Sequence, residues 1–263
     1  MRDRDRVVVV ISAYNEAEAL PSFLAEIQNS FTAAHMPVSI VVLDDASTDG
    51  TAAAAAEFAR VVRAPVNRGH GPTALAAYGE GLRDAAGVIV HVDGDGQFHG
   101  DDIVRVALAL DDADADVVHG VRRGRTDPWF RRALSGLVRF AVLLLCGRSV
   151  PDVNTPLRAY RPATVSMLIQ AVPEGALVPH VHFSIAEARE TLRIRYVAVA
   201  SIPRRALVVQ GTMWGDERSR QVLPPRKLVR FAARALVELW RVNVVTMGPG
   251  SRAKVTSSPS VRD

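Results

Sequence analysis

The chain alternates between short apolar runs and longer stretches with helical spacing. Arg6 to Ser12 is a β-branched run that predicts a buried strand. Leu20 to Phe31 carries apolar residues at helical spacing, with Pro21 in its first turn. Val38 to Leu43 predicts a second buried strand, Asp49 to Arg60 an alanine-rich helix, and Val61 with Val62 a short strand. Pro72 to Asp84 then reads as a helix, Val88 to Val92 as a strand, Asp101 to Leu110 as a helix and Val117 to Gly120 as a strand. Strict alternation of this kind predicts an α/β fold: a mostly parallel sheet with helices on both faces. In such sheets ligands sit outside the carboxyl ends of the strands.

The second half is less regular. Residues 130–146, 162–171, 181–190 and 225–242 read as helices, 152–161 as a loop and a strand, and 194–200 as a strand. This predicts one domain over residues 1–223, an amphipathic helix over 224–246 and a disordered Gly/Ser/Pro/Arg tail over 247–263. The sole cysteine, Cys146, excludes a disulfide framework and a cysteine-rich zinc site. The net charge of +4 is a weak pointer to anionic partners. The most apolar stretch, FAVLLLC at 140–146, falls far short of the roughly 20 residues that span a bilayer. The apolar run after MRDRDR is too short for a signal peptide. These features predict a cytoplasmic protein, with peripheral contact at the inner face of the cell membrane left open. Dispersed arginines and an aromatic content of 6% give no stacking platform for nucleic acid.

Polar clusters stand where the strands end: SAYNE after the first, DDASTDGT after the second, DGDGQ after the fourth. Asp93 and Asp95 are two apart, which on an extended strand puts both side chains on one face. Carboxylates that close repel unless a cation or a proton lies between them. Oxygen ligands at this density suit Mg²⁺ or Mn²⁺, whose shell substrate phosphate commonly completes. Gln97 continues the spacing, and Gly94 and Gly96 permit close backbone approach. An Asp-Gly turn with no ligand accounts for the same letters equally well. In DDASTDGT, Asp44 or Asp45 can accept from a base N–H or a ribose hydroxyl. Ser47, Thr48 and Asp49 can equally serve the next helix start. The loop NRGHG, from Asn67 to Gly71, opens a helix and can present backbone N–H groups to phosphate. It is neither a P-loop nor GxGxxG.

Taken together and in order, VVVVISAYNE, VVLDDASTDGT, NRGHGPTAL and HVDGDGQF resemble the family 2 nucleotide-sugar glycosyltransferases of the GT-A fold. The similarity is greatest to the polyprenyl-phosphate glycosyltransferases, such as dolichol-phosphate mannose synthases, and spans about residues 6–205. The resemblance implies a nucleotide-sugar pocket of Ala13, Tyr14, Glu16 and Asp44, with Asp45, Asn67, Gly71 and Gly94 beside it. It implies that Asp93, Asp95 and Gln97 hold Mg²⁺ or Mn²⁺ on the diphosphate of a UDP- or GDP-hexose. Ser12 departs from the proline usual in the family.

The branch continues with a GxR segment, an Arg/Ser helix and a D…R loop, here HGVRRGR (119–125), WFRRALSGLVRF (129–140) and DVNTPLRAYR (152–161). By resemblance Arg122, Arg131 and Ser135 line the acceptor phosphate, with Arg131 and Arg132 interchangeable at this stage. Asp152 is the candidate base for a hydroxyl acceptor, and Arg158 matches a catalytic position although Leu157 replaces the usual aromatic. Arg204 or Arg205, in RYVAVASIPRRALVVQGTM, is expected to reach the donor diphosphate. The implied activity is inverting, metal-dependent hexosyl transfer to a polyprenyl phosphate. The alternatives are transfer to a hydroxyl and non-catalytic binding of a nucleotide sugar. His180 and His182, in PHVHFS, read as structural. The segment RKLVRFAARALVELWR gathers Leu228, Ala232, Ala235, Leu236, Leu239 and Trp240 on one side and Lys227, Arg230, Arg234 and Arg241 on the other. That pattern serves either a membrane surface or packing on the domain.

Overall fold

A computed structural model describes residues 6–84, 87–112, 115–124, 128–205, 224 and 226–245. The elements run β1 (Val7–Ala13), α1 (Leu20–Ala33), β2 (Val38–Asp44), α2 (Thr51–Ala56), β3 (Arg60–Arg63), α3 (His70–Arg83), β4 (Val88–Asp93) and α4 (Gly100–Asp112). They continue with β5 (Val117–Arg123), α5 (Trp129–Cys146), β6 (Arg158–Tyr160), α6 (Pro162–Gln170), α7 (Pro179–Arg189), β7 (Ile194–Ala200) and α8 (Arg226–Trp240). A π-helical turn over Arg241–Val245 follows. The tail expected over residues 247–263 lies outside the described residues.

The seven strands form one sheet in the order β3-β2-β1-β4-β6-β5-β7. All described pairings are parallel except those of β6, which runs antiparallel to β4 and to β5. The uninterrupted apolar run of β1 follows from burial on both sides. Val7, Val9 and Ile11 pack with Phe23, Leu24 and Ile27 of α1, and Val8 and Val10 with Leu75 and Tyr78 of α3. Each such side chain contributes roughly 1.5–3 kcal/mol when taken fully out of water. The strand order reverses at β1, with β2 and β3 to one side and β4, parallel to it, on the other, so a crevice opens at the carboxyl ends of β1 and β4, where such sheets bind ligands.

Two of the element boundaries that differ from expectation bear on the site. The alanine-rich helix begins at Thr51 rather than Asp49, because the Asp49 carboxylate accepts from the N–H groups of Thr51 (2.9 Å) and Ala17 (3.2 Å) and so closes the loop. The strand after α4 runs on to Arg123, which carries Arg122 to the rim of the sheet.

Of the two roles open to α8, the structure shows packing. Leu228, Ala235 and Leu239 are buried, and Leu239 joins Val142 of α5 and Val181 and Ile185 of α7 in a small core. Glu238 fastens the helix by accepting from Leu177 N–H (3.0 Å) and meeting His182 Nε2 (2.9 Å). Trp240 does not share that face as the wheel suggested. It stands about 100° on from Leu239 and is 58% exposed, on the outer side with Val229 and Val237.

Candidate active site

The sheet register brings three polar strand ends level. Ala13 pairs with Asp44 and Ser12 with Asp93, in strands about 4.8 Å apart. They open onto a cavity of about 1050 Å³. Its polar end holds Ala13, Tyr14, Glu16, Asp45, Asn67, Asp93, Gly94, Asp95, Gln97 and Arg204. Its far end is walled by Leu134 and Val138 of α5, Val178 and Val181 at α7, and Phe231, Leu236 and Leu239 of α8.

Asp93 and Asp95 do converge, but not through the pleat of a strand. β4 ends at Asp93, and a turn carries Asp95 back beside it, with Gly96 at φ +68°. Gly94 sits hard against β1: a Cβ there would lie 3.1 Å from the Ser12 carbonyl oxygen. Ser12 Oγ donates to Asp93 Oδ1 (3.1 Å), and His70 Nδ1 stands 3.8 Å from the same oxygen. Gln97 joins through its backbone, donating N–H to Asp95 Oδ1 (3.2 Å). Burial, reinforced by the Asp93 charge, pushes the Asp95 carboxyl up to about 6. Two crowded carboxylates, one of them raised to about 6 by burial and by the charge of the other, fit a hard divalent cation. Among the described residues no group of three or more His, Cys, Asp and Glu is placed to hold a metal ion.

The cation now nearest this centre is Arg204. Its guanidinium is hydrogen-bonded to Glu16 Oε1 and its Nε lies 3.8 Å from Asp95 Oδ2. Burial nevertheless pushes the Glu16 carboxyl up to about 7 against the pull of Arg204. This separates Arg204 from Arg205, which turns away. Arg205 pairs with Glu26 (2.5 Å), donates to the Gly96 carbonyl (3.0 Å) and lies over the Phe23 ring.

Asp44 and Asp45 divide their work. Asp45 lines the cavity and accepts from the N–H groups of Arg68 (2.9 Å) and Gly69 (2.8 Å), so it fixes the loop that carries Asn67. Asp44 lies behind it, outside the cavity lining. It accepts from Ser47 N–H (3.0 Å) and faces Arg63 (3.2 Å). Gly71 also stays off the cavity, contrary to expectation. A Cβ there would fall 1.9 Å from the Ala176 carbonyl oxygen, so this glycine seats α3 against the loop before α7.

On the other side Arg122 and Asp152 form a bidentate pair, Nε to Oδ2 at 2.8 Å and Nη2 to Oδ1 at 3.0 Å. Both line the cavity, as do Ser135, Arg132 and Arg139 on α5. Arg131 lies on α5, and its side chain is outside the described residues. Arg158, read as catalytic, is fully buried beneath the floor. It donates to the carbonyls of Val153 (2.7 Å) and Thr155 (3.0 Å), to Ser184 Oγ (3.0 Å), to Tyr160 Oη (3.3 Å) and to Glu187 Oε1 (3.2 Å). It therefore holds the Asp152 loop from below and does not line this cavity. The sequence reading passed over Ser12 and His70 as neighbours of Asp93. The hydroxyl at Ser12, which proline lacks, was the available signal.

A crevice at the switch point of a mostly parallel sheet, with two carboxylates at the end of a central strand, defines a GT-A-type nucleotide-sugar fold. The profile of Glycosyl transferase family 2 matches residues 8–166, and the chain belongs to that family. It is 30% identical over 180 residues to an undecaprenyl-phosphate 4-deoxy-4-formamido-L-arabinose transferase of Proteus mirabilis, covering 66% of this chain and 55% of that protein. The Serratia proteamaculans protein of the same name is 30% identical over 181 residues, covering 66% and 54%. The chain thus spans about half the length of the curated relatives it matches. Among solved structures it resembles glucosyl-3-phosphoglycerate synthase from Mycobacterium tuberculosis in complex with Mn²⁺, uridine diphosphate and glucosyl-3-phosphoglycerate. The TM-score is 0.64 at 18% identity, over 91% of this chain and 80% of that one, a likeness of fold.

Proposed function

We propose that this chain transfers a hexose from a UDP- or GDP-sugar to a polyprenyl phosphate, with inversion at the anomeric carbon. The observation that carries the reading is the two-ended cavity, acidic and polar at Asp93 and Asp95, apolar between α5 and α8. Relatives named for undecaprenyl phosphate support a lipid-phosphate acceptor, and a fold neighbour solved with Mn²⁺ and uridine diphosphate supports a metal-bound donor.

Asp93 and Asp95 would hold Mg²⁺ or Mn²⁺ on the donor diphosphate. When bound, the ion neutralises the charge that collects on the leaving nucleoside diphosphate. Ser12 keeps Asp93 in place, and Asp45 braces the loop beside the nucleoside. Arg204 is poised to move from Glu16 onto the diphosphate. An acceptor phosphate oxygen is already anionic and needs no general base. That suits a site in which both oxygens of Asp152 accept from Arg122 rather than facing a substrate hydroxyl. A lipid carrier also places the protein at a membrane surface. No helix among the described residues is long and apolar enough to cross one.

A two-phase assay tests the reading. Protein, Mn²⁺ or Mg²⁺, and labelled UDP- and GDP-sugars are mixed with polyprenyl phosphate in detergent. Label entering the organic phase supports it and names the donor. Metal-dependent binding or hydrolysis of a donor without transfer moves the acceptor to a hydroxyl compound. Neither binding nor transfer points to a non-catalytic protein.

A further inference from the structure

One side of the helix α5 carries a row of exposed apolar side chains. At about 100° per residue, Trp129, Ala133, Leu137, Phe140, Leu143 and Leu144 fall within about 120° of arc. Trp129 is 59% exposed, Leu137 49%, Phe140 57%, Leu143 40% and Leu144 70%. This is a continuous apolar strip, not the scattered single residues that any surface carries. The opposite side of the helix is accounted for: Val142 is buried and Leu134 and Val138 wall the cavity.

Its surroundings say what covers it. Arg132 and Arg139 border the strip, exposed Arg148 follows the helix end, and α5 contains no acidic residue. Across the cavity mouth, α8 repeats the arrangement. Val229, Val237 and Trp240 are exposed beside the exposed cations Arg226, Lys227, Arg230, Arg234 and Arg241. Its one acid, Glu238, is turned inward onto Leu177 and His182. Apolar strips with aromatic residues and a cationic border match the boundary of an anionic bilayer. A second copy of the chain would set the same positive helices against each other.

We propose that the outward strip of α5, flanked by the basic side of α8, docks this protein on an anionic phospholipid surface. The apolar end of the cavity, which lies between these two helices, then opens at lipid level. The proposal deepens the reading of a lipid-phosphate acceptor and rests on it for its purpose, while the surface rests on the exposed side chains themselves.

The test is co-sedimentation of the full chain with phosphatidylcholine vesicles, with and without phosphatidylglycerol, and with no polyprenyl phosphate present. The wild type is expected to bind the anionic vesicles. A variant with Leu137→Ser, Phe140→Ser and Leu144→Ser should bind them on the order of a hundredfold more weakly. It should keep transfer to a short, water-soluble prenyl phosphate and lose transfer to long-chain polyprenyl phosphate in vesicles. If that variant misfolds, Arg230→Glu with Arg234→Glu should weaken binding to the anionic vesicles alone. A wild type that stays in the supernatant with both vesicles overturns the proposal. So does an α5 variant that binds unchanged, or one that only dissociates a dimer in ultracentrifugation. Vesicle binding that responds to the variants while no prenyl phosphate accepts sugar supports the surface and sinks the acceptor reading instead.

Discussion

Replacing Arg158 by methionine should unfold this protein more than it disables its chemistry. The guanidinium makes five hydrogen bonds, and its carboxylate partner Glu187 is as buried as it is. Burial alone would push the Glu187 carboxyl up. The neighbouring His119 and the Arg158 charge, with the hydrogen bond from Tyr160, bring it down to about 2. Burial drives the His119 ring below its usual range, so Arg158 is the partner whose positive charge does not depend on pH. Methionine keeps most of the volume but leaves the buried Glu187 carboxylate without its permanent positive charge, beside the Tyr160 hydroxyl (2.8 Å) and the His119 ring (3.0 Å). Breaking a buried pair from one side costs about 3–5 kcal/mol. For a chain of this size that is a fall in Tm of about 6–20 °C. Calorimetry on Arg158→Met, Glu187→Gln and the double variant forms a cycle, and the double variant should recover much of the loss because no charge is stranded. The pH dependence has a fixed sign. Glu187 is depressed when folded, so its stabilisation is present above the unfolded value of about 4.3 and lost as pH falls towards 2. Glu187→Gln should remove that acid slope. A methionine variant with unchanged Tm and abolished turnover would refute this account and return Arg158 to the active site.

Three further outcomes are expected. Asp93→Ala or Asp95→Ala should each cut turnover by on the order of 10³ or more, through loss of several kcal/mol of charge stabilisation, while circular dichroism stays unchanged. Wild-type turnover in both would sink the metal assignment. Because burial and the Asp93 charge hold the Asp95 carboxyl at about 6, protons compete with a cation there. Mn²⁺ titrated by calorimetry should bind about tenfold more tightly at pH 7 than at pH 5, and a flat profile would count against it. Gly71→Ala forces a methyl into the Ala176 carbonyl and should lower stability by about 1–3 kcal/mol, seen as a lower denaturant midpoint with an unchanged slope. An unaltered midpoint would mean that the helix start has room to spare.

What the sequence disclosed and what it hid have physical reasons. A strand buried on both faces must be apolar throughout, so the places where β1, β2 and β4 surface into Ser12, Asp44 and Asp93 could be read directly. That the three ends stand level is a matter of register, which no single strand encodes. The convergence of Asp93 and Asp95 was expected from pleating, and a turn at Gly96 delivers it instead. An arginine is normally exposed, and by resemblance the D…R loop put Arg158 at a catalytic position. Its burial depends on Glu187, 29 residues later on another helix. Glycines after Asn67 suggested a phosphate cradle, yet Gly71 answers to the backbone of Ala176, about a hundred residues away in the chain. Arg204 and Arg205 were equivalent as letters. Only the packing of Arg205 over Phe23 tells them apart.

The three-residue strand β6 divides the sheet as well as completing it. On one side β3-β2-β1-β4 is wholly parallel and carries the acidic end of the cavity. On the other β5 and β7 are parallel and carry Arg122. Only β6, with three register pairs to each neighbour, stitches the two together within the sheet. A seam that short lets one half drift in sequence while the other is held to its register. Under the proposed reading, the half that would hold the sugar donor and the half that would meet its acceptor are joined in the sheet by those six register pairs alone.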